Sequence, residues 1–247
     1  MSGRAFRPTR TTGAVDARPP PKPTYRRHQS VIVPLRNVLG DALLQRLVEA
    51  FARSLWKGYE HASVRIGRVP MRGATPVAIS VDADRLWRAS ELLWEYRVAK
   101  AEPYEPVLVK GRSATSWRLL MPPIIESHGD DQTEPKAMYV LDGMHRLHNL
   151  YQQAVGQAMA LIISSPDLPP PPAHMPNSWA GVWRAEGGTR GAARFCWLSE
   201  KLLRPVSERI DRQVWELSTD RGKQVFPTEF NSLDDCARWA KRVLGGG

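Results

Sequence analysis

Five consecutive residues combine the side chains and the backbone freedom that phosphate binding needs. They run Asp-Gly-Met-His-Arg from Asp142 to Arg146, between an apolar run at 137–141 and a segment with helical spacing. The first N–H groups of a helix lack intrahelical partners and, with the helix dipole, attract an anion. Gly143 would let a phosphate approach closely, and the N–H groups of Met144 to Arg146 would point at it.

The charged side chains of this box have different uses. Arg146 offers the paired donors that match phosphate oxygens, and His145 can donate a hydrogen bond and titrates near neutral pH. Asp142 opposes an anion, so it either caps the helix or holds a divalent cation such as Mg²⁺ between itself and the phosphates. A capped structural turn without a ligand is the alternative interpretation of the box.

The pattern around the box predicts a strand, a turn, a helix and a second strand. The apolar run at 137–141 has the length of a strand, and residues 158–163 form another. Between them lies a helical face made by Leu147, Leu150, Tyr151, Ala154 and Val155. Gly156 then stands where a left-handed helix cap is expected. This order usually gives a right-handed crossover between neighbouring parallel strands.

Further elements are predicted before the box from the spacing of apolar residues. In chain order they are a short apolar run at 31–33, a helix capped by Asp41, a strand at 77–81, a helix at 85–98, a strand at 106–110 and a strand at 117–125 whose end is interrupted by Pro122 and Pro123. Helices interleaved with strands indicate an α/β or α+β fold.

The composition divides the 247 residues into four segments. Residues 1–29 are rich in Arg and Pro and poor in apolar residues, which predicts a disordered basic tail. A domain is expected over 30–165, with residues 30–76 as a helical preamble. A proline-rich spacer at 166–176 and a tryptophan-bearing extension of unknown role at 177–247 complete the chain. The extension is expected to end in a helix capped by Ser232, with Asp235 three residues on.

The charge and the cysteines bear on partners and compartment. Of the formal net charge of +10, seven cationic residues against Asp16 place +6 in residues 1–27. The tail could therefore hold nucleic acid non-specifically, or serve as a solvated extension. Two cysteines are too few for a disulfide framework, and no apolar window spans a membrane, so we expect a cytoplasmic protein that does not enter membranes. An organelle transit peptide is the alternative, opposed by the prolines at 19–23.

The box in its setting resembles the ParB/sulfiredoxin-like superfamily. Asp142–Arg146 matches the DGxHR box of that superfamily, with the strand at 106–109 before it and Gly156 and the strand from Ala158 after it. The resemblance covers about residues 77–163, the expected core of the domain. In this superfamily the box binds the phosphates of a nucleotide or another anion, so the resemblance implies a nucleoside triphosphate or diphosphate, with ATP first.

Differences within the superfamily narrow the implied chemistry. Sulfiredoxins carry a catalytic cysteine just before the His-Arg pair, where this chain has Met144. Partition proteins usually have a Gly-Glu-Arg-Arg version of the box, followed by a helix-turn-helix domain. We find neither feature in this sequence. The box is more similar to that of the free-serine kinases and DGHHR proteins, with Met144 for the first His. A glutamate acts as catalytic base in those kinases, and Glu91 is the nearest match, with Glu95 or Glu102 as substitutes.

The resemblance therefore implies a phosphotransferase or nucleotide hydrolase. Gly143, Met144, His145 and Arg146 would hold the phosphates and Asp142 would help to place Mg²⁺. Glu91, Asp142 and His145 are the implied catalytic residues, acting on a small hydroxylated acceptor such as an amino acid. The alternatives are a partition-like or regulatory DNA-binding protein with a nucleotide switch pocket, and a pocket for an anionic metabolite without turnover.

Other polar residues receive a structural interpretation. Glu126, His128, Asp130 and Asp131 lack the spacing of a calcium loop, so a solvated acidic loop is expected rather than a cation site. His148 is expected at the surface or behind the ligand-contacting residues. The two cysteines and most of the nine tryptophans are expected to pack in the core.

Overall fold

The structure is a computed structural model that describes residues 30–55, 57–76, 80–128, 137–164, 178–185, 216–219 and 222–245. Its α-helices are α1 (Arg36–Leu39), α2 (Asp41–Leu55), α3 (Ala83–Val98), α4 (Met144–Gln152) and α5 (Leu233–Leu244). Single turns of 3₁₀ helix occur at Lys57–Tyr59, Met71–Gly73 and Trp179–Gly181. The expected tail and the proline-rich spacer lie outside the described residues.

The strands in chain order are β1 (Val31–Pro34), β2 (Ser63–Pro70), β3 (Ala74–Pro76), β4 (Ser80–Asp82), β5 (Val107–Lys110), β6 (Trp117–Leu120), β7 (Ile124–His128), β8 (Ala137–Asp142), β9 (Gln157–Ser164), β10 (Trp183–Ala185), β11 (Glu216–Thr219), β12 (Gly222–Val225) and β13 (Glu229–Phe230). A mixed five-stranded sheet has the order β2-β9-β7-β8-β3, and an antiparallel four-stranded sheet has the order β1-β5-β6-β13. Strands β4 and β10 pair in parallel, and β11 pairs with β12. The fold is α+β.

The five-stranded sheet is buried on both faces. Side chains alternate between the faces along each strand, so Ile124 and Leu161 pack with α2, whereas Ile125 and Ile162 pack with α3 and α4. This explains why the interior strand β9 is an almost continuous apolar run. The face toward α3 and α4 is the one that positions the start of α4.

The segment predicted as one strand at 117–125 is two strands in different sheets. Residues 117–120 form β6 of the four-stranded sheet, and residues 124–128 form β7 of the five-stranded sheet. Pro122 and Pro123 lie between them, where proline cannot donate a ladder hydrogen bond. The carbonyl of Pro123 still accepts from the N–H of Leu161 at 2.8 Å, which fixes the connection to the sheet.

The expected crossover between neighbouring parallel strands is wrong. Strand β7 lies between β8 and β9, and it runs antiparallel to β8 and parallel to β9. The two strands that flank α4 are therefore antiparallel and separated. The left-handed residue after α4 is Ala154, with φ 55°, instead of Gly156. Both errors arise because strand pairing and loop backbone are set by tertiary contacts that a local pattern does not contain.

The segments before and after the expected core contribute more strands to the two sheets than predicted. Residues 30–76 include the helices α1 and α2, but the segment expected as a helical preamble also supplies the strands β1, β2 and β3. Strand β2 pairs with β9 along its whole length. At the other end β13 pairs with β6, and Phe226 and Phe230 pack in the core beside α2. The described part of the C-terminal extension thus completes this core.

Two predicted helices are confirmed. Helix α2 is present and buries the apolar face expected of it, although Asp41 is its first helical residue and the Gly40 carbonyl accepts from the Leu44 N–H at 3.0 Å. Helix α5 is capped by Ser232, whose Oγ accepts a hydrogen bond from the Asp235 N–H at 3.0 Å. Within the described ranges, no helix has the length and apolar character needed to span a bilayer.

Candidate functional site

The turn between β8 and α4 requires a glycine. Gly143 has φ 87° and ψ 18°, a left-handed conformation that L side chains rarely adopt. A Cβ at this position would lie 2.7 Å from the Pro123 Cβ and 2.9 Å from the Pro123 Cα. The strand, turn and helix predicted around the box are all present, and Gly143 lets the turn pack directly on the connection between the two sheets.

Arg146 is held by two oxygens beneath this turn. Its Nη1 donates to the carbonyl of Met121 at 2.6 Å, and its Nη2 lies 3.5 Å from Asp142 Oδ2. The guanidinium also sits 5.9 Å from the centre of the Tyr104 ring. The side chain is 20% exposed, so the orientation of its charge is set by the protein. This is the arrangement of a fixed cation with a carboxylate beside it.

A cleft of about 480 Å³ lies beside Asp142 and Arg146. Its wall is mainly apolar and includes Phe51, Leu55, Leu92, Leu119, Met121 and Ile124. The volume is in the range of small-molecule sites, which are usually apolar with a few placed polar groups. The cleft is therefore suited to a ligand with an apolar or aromatic body and an anionic group near Arg146.

The other two side chains of the box have different surroundings. Met144 is 8% exposed and packs in the core between the sheet and the helices, so its backbone N–H is its polar contribution to the turn. His145 contacts α3: its Nε2 accepts a hydrogen bond from the Asp82 N–H at 2.9 Å. Since Asp82 caps α3, His145 joins the starts of α3 and α4.

The hydrogen bond from the Asp82 N–H determines the protonation state and the tautomer of His145. A backbone N–H can only donate, so Nε2 is unprotonated and the ring is neutral with its proton on Nδ1. Burial, and then the positive charge of Arg85, lower the pKa of His145 below its ordinary value. His145 is thus a neutral imidazole with its proton on Nδ1, and a cationic form would break the contact with α3.

Acidification should expose this role of His145. In the unfolded chain the imidazole binds a proton near pH 6.5, whereas the lowered pKa delays protonation in the folded protein. Its contribution to stability is therefore full above about pH 6.5 and is lost as the pH falls from there toward the folded pKa. We expect His145→Asn to reduce the fall in melting temperature between about pH 7.5 and 5, measured by calorimetry. A wild-type slope in this variant would contradict the assignment.

The predicted catalytic base does not line the cleft. Glu91 is half-buried on α3, next to Leu92, which does line it. Of its substitutes, Glu95 accepts a hydrogen bond from Ser30 Oγ at 2.7 Å, and Glu102 pairs with Arg68 at 2.6 Å. Glu91 lies on the neighbouring helix, away from the turn. The turn itself holds the contiguous residues of the box, Asp142, Gly143, Met144, His145 and Arg146.

A second polar cluster lies in β7, where the sequence suggested a solvated loop. Glu126 is fully buried; its Oε2 accepts from the Tyr59 hydroxyl at 2.6 Å and its Oε1 lies 2.6 Å from His128 Nε2. His128 packs edge-on against Tyr139. The interpretation of Glu126 and His128 as a solvated acidic loop is wrong, because residues 124–128 are a buried strand. Asp130 and Asp131 lie outside the described residues.

The apolar pair before Glu126 was the signal for this strand. Ile124 and Ile125 follow the two prolines and begin β7, but the polar residues after them concealed its length. Along β7, Ile124 is opposite Asp142 and His128 is opposite Ala137. The buried cluster is thus at the far end of β7 from the box, and it is a separate feature of the sheet.

Further predicted residues are structural. His148 is 4% exposed, and its Nδ1 has no hydrogen-bond partner among the described residues. Cys236 is buried in the core, which raises the pKa of its thiol to about 12; Cys196 lies outside the described residues. No group of three or more His, Cys, Asp or Glu side chains that could hold a metal occurs in the part of the chain that the structure describes.

Comparison with known proteins identifies no family. No family model and no curated protein matches the sequence. Among solved structures, protein Atu1540 from Agrobacterium tumefaciens is similar over 57% of this chain and 50% of that chain, with 11% identity and a TM-score of 0.26. This chain thus spans half the length of that protein. A TM-score this low carries no argument about fold or function.

Proposed function

We propose that the turn from Asp142 to Arg146 and the cleft beside it bind a nucleotide, with the phosphates at the start of α4 and the base against the apolar wall. The observation that carries this proposal is the placement of Arg146 at the edge of the 480 Å³ cleft by Met121 and Asp142. The likeness of the box to the ParB/sulfiredoxin-like superfamily is our reason for choosing a nucleotide over another amphipathic anion.

Arg146 retains donors for a phosphate. A guanidinium has five N–H groups, and the contacts with Met121 and Asp142 use two directions of this fork. The residue at the N-cap, Gly143, offers no side-chain acceptor to the N–H groups of α4. These donors and Arg146 point to the same side of the turn in our proposal, where a phosphate would replace water.

The donor set is compatible with Mg²⁺ in the manner usual for nucleotides. Magnesium is commonly held by one or two protein carboxylates together with phosphate oxygens and water. Asp142 would provide one carboxylate oxygen, and a bound Mg²⁺ would neutralise charge on the phosphates. Asp142 also pairs with Arg146, so its carboxylate would orient the guanidinium of Arg146 whether or not a metal is bound.

Turnover is the second part of the proposal. Phosphoryl transfer depends mostly on positioning and charge stabilisation, which Arg146 and the start of α4 would provide. Transfer to a small hydroxylated acceptor also needs a base within hydrogen-bond reach of the hydroxyl. Glu91, the base that the resemblance implies, lies on the adjacent helix outside the lining of the cleft, so Asp142, which lines it, is the better placed carboxylate for this role. His145 would assist by fixing α4 against α3. A nucleotide hydrolase would need the same phosphate site without the acceptor.

A thermal-shift panel tests the site. ATP, ADP, CTP and GTP are added with and without Mg²⁺ to wild type, Arg146→Ala and Arg146→Lys. A ligand at about 100 times its Kd adds about 2.7 kcal/mol, which raises the melting temperature of a chain of this size by roughly 5–10 °C. We expect one nucleotide to give this rise in wild type, Arg146→Ala to lose it, and Arg146→Lys to keep a fraction because the forked geometry is lost.

Arg97→Ala is the matched control. It removes the same charge from an exposed arginine of α3 that donates to Gln153, and it should keep the wild-type shift. Comparing ligand-induced shifts, instead of absolute melting temperatures, separates binding from the packing lost with Arg146. Equal shifts in Arg146→Ala and wild type, or no shift for any nucleotide, would contradict the proposal.

The alternatives predict other results. A kinase releases ADP faster when serine or another hydroxylated acceptor is added. A DNA-binding protein with a nucleotide switch loses duplex affinity steeply with salt and loses most of it when residues 1–29 are removed. A pocket for an anionic metabolite shows neither behaviour but responds to inorganic phosphate or an amphipathic anion in the same thermal assay.

A further inference from the structure

Helix α3 carries an exposed apolar stripe. Trp87, Trp94 and Val98 are 49%, 39% and 56% exposed, although residues of this size usually bury most of their surface. Their spacing of seven and four residues places them in one row about 16 Å long. The opposite side of α3 packs in the core through Leu86 and Leu93. The stripe is thus not part of the packed core of the described domain.

A row of carboxylates runs beside the stripe. Asp84, Glu91 and Glu95 repeat the spacing of seven and four residues, one short step around the helix from the tryptophans. Arg88 lies on the outer side of this row, and Arg97, on the far side of the stripe, donates to Gln153. The face therefore pairs aromatic rings with negative charge, a combination suited to a ligand that is both apolar and cationic. It is unsuited to a polyanion, because phosphates would approach the carboxylates.

The described chain begins at this face. Ser30 Oγ donates to Glu95 Oε1 at 2.7 Å, so residue 30 touches the carboxylate row beside Trp94. The preceding residues have the matching composition: 18–27 read Arg-Pro-Pro-Pro-Lys-Pro-Thr-Tyr-Arg-Arg, with four cationic residues and no acidic one. Proline-rich segments commonly bind aromatic grooves in the extended polyproline II form.

We propose that residues 18–27 dock on the α3 face of the same chain, with prolines against Trp87 and Trp94 and with the cationic side chains along the carboxylate row. The length of chain permits this. At about 3.1 Å per residue, the proline run seven to eleven residues before Ser30 reaches roughly 22–34 Å, which exceeds the length of the stripe. Tethering near Glu95 supplies a high effective concentration, so individually weak contacts suffice.

This docking assigns the basic tail a partner within the molecule. Its positive charge is then partly neutralised by α3, and a nucleic acid would have to displace it. A second copy of the chain is a poorer occupant of the face, because a symmetric contact would bring two carboxylate rows together. The tail of the same chain satisfies the apolar and the charged requirement together.

Limited trypsin digestion of the full-length chain tests the docking. Arg26 and Arg27 lie in the proposed docked segment, whereas Arg4 and Arg10 lie before it and act as internal references. Proteolysis follows the population of the open form, so we expect cleavage after Arg26 and Arg27 to be about tenfold slower than after Arg10 in wild type. Trp87→Ala/Trp94→Ala should make the rates equal, as measured by mass spectrometry.

Two further variants keep the test decisive. Replacing the prolines at 19, 20, 21 and 23 with alanine leaves the domain unchanged and should abolish the protection in the same way. Tyr151→Ala removes another exposed aromatic side chain, from α4, and should keep it. Protection that persists in the double tryptophan variant, because β1 lies close by, would overturn the proposal. Protection that increases with protein concentration would also overturn it, since the tail would then dock on a second copy.

Discussion

Replacing Gly143 with alanine is expected to lower the free energy of unfolding by about 2–5 kcal/mol. The left-handed backbone costs an L residue about 1–2 kcal/mol, and overpacking a tight contact costs about 1–3 kcal/mol more. Here the added Cβ meets the Pro123 Cα at 2.9 Å, and a backbone atom cannot rotate aside. Urea unfolding followed by circular dichroism measures the change.

Gly156 provides the matched control at the other end of α4. Its Cβ would have no heavy atom within 4 Å, so Gly156→Ala should leave stability unchanged or slightly increased. If both alanine variants unfold at the same urea concentration as wild type, the turn tolerates a side chain and Gly143 has no structural role. A destabilised Gly143→Ala that still binds nucleotide would assign this glycine to packing instead of phosphate approach.

Replacing Glu126 with alanine is expected to cost about 3–5 kcal/mol, because it leaves buried partners of a charged group without their acceptor. Glu126 is fully buried, and its carboxylate contacts both Tyr59 and His128 at 2.6 Å. Glu126→Gln keeps the volume and one carbonyl acceptor, so we expect a smaller loss. Thermal unfolding of the two variants separates the loss of charge from the loss of packing.

Glu49→Ala is the control for removing a carboxylate. Glu49 is partly exposed on α2 and lies 3.8 Å from Arg53, a surface pair of the kind worth about 0–1 kcal/mol. A stability loss at Glu126 no larger than at Glu49 would show that water or neighbouring groups replace the buried carboxylate. Such a result would mean that the cluster is not a fixed part of the core.

The elements predicted most successfully are those with a local cause. Helix α2 follows from apolar spacing after Asp41, and α5 follows from a Ser232 cap. The strand and helix around the box are specified by an apolar run that ends at a glycine. Each of these signals lies within a stretch of sequence about two helical turns long. Over that range, apolar spacing and helix capping determine the local structure.

The features that escaped prediction depend on residues distant in sequence. Strand β7 separates β8 from β9, a pairing that apolar runs do not reveal. The contact of Glu126 with Tyr59 joins residues 67 positions apart. Strand β2 carries Arg65 and Arg68 among its apolar residues, which weakened its pattern.

The candidate site has features of both kinds, some with a local cause and some that depend on residues distant in sequence. Its contiguous residues were evident, because a strand, a glycine and a helix start make a recognisable turn. The acceptor for Arg146 and the donor to His145 were not, since Met121 and Asp82 approach only in the folded chain. The direction in which each box side chain points therefore had to come from the structure.

The contact between the box and the inter-sheet connection has a consequence for how the sequence can diverge. Pro123 touches Gly143, its carbonyl receives the Leu161 N–H, and the nearby Met121 carbonyl receives Arg146. Residue 121 contributes a backbone carbonyl, which any residue provides, whereas a change at position 123 alters the packing against Gly143, so positions 123 and 143 are under one shared constraint. In related sequences they should change together or stay fixed together, even where the ligand has been lost.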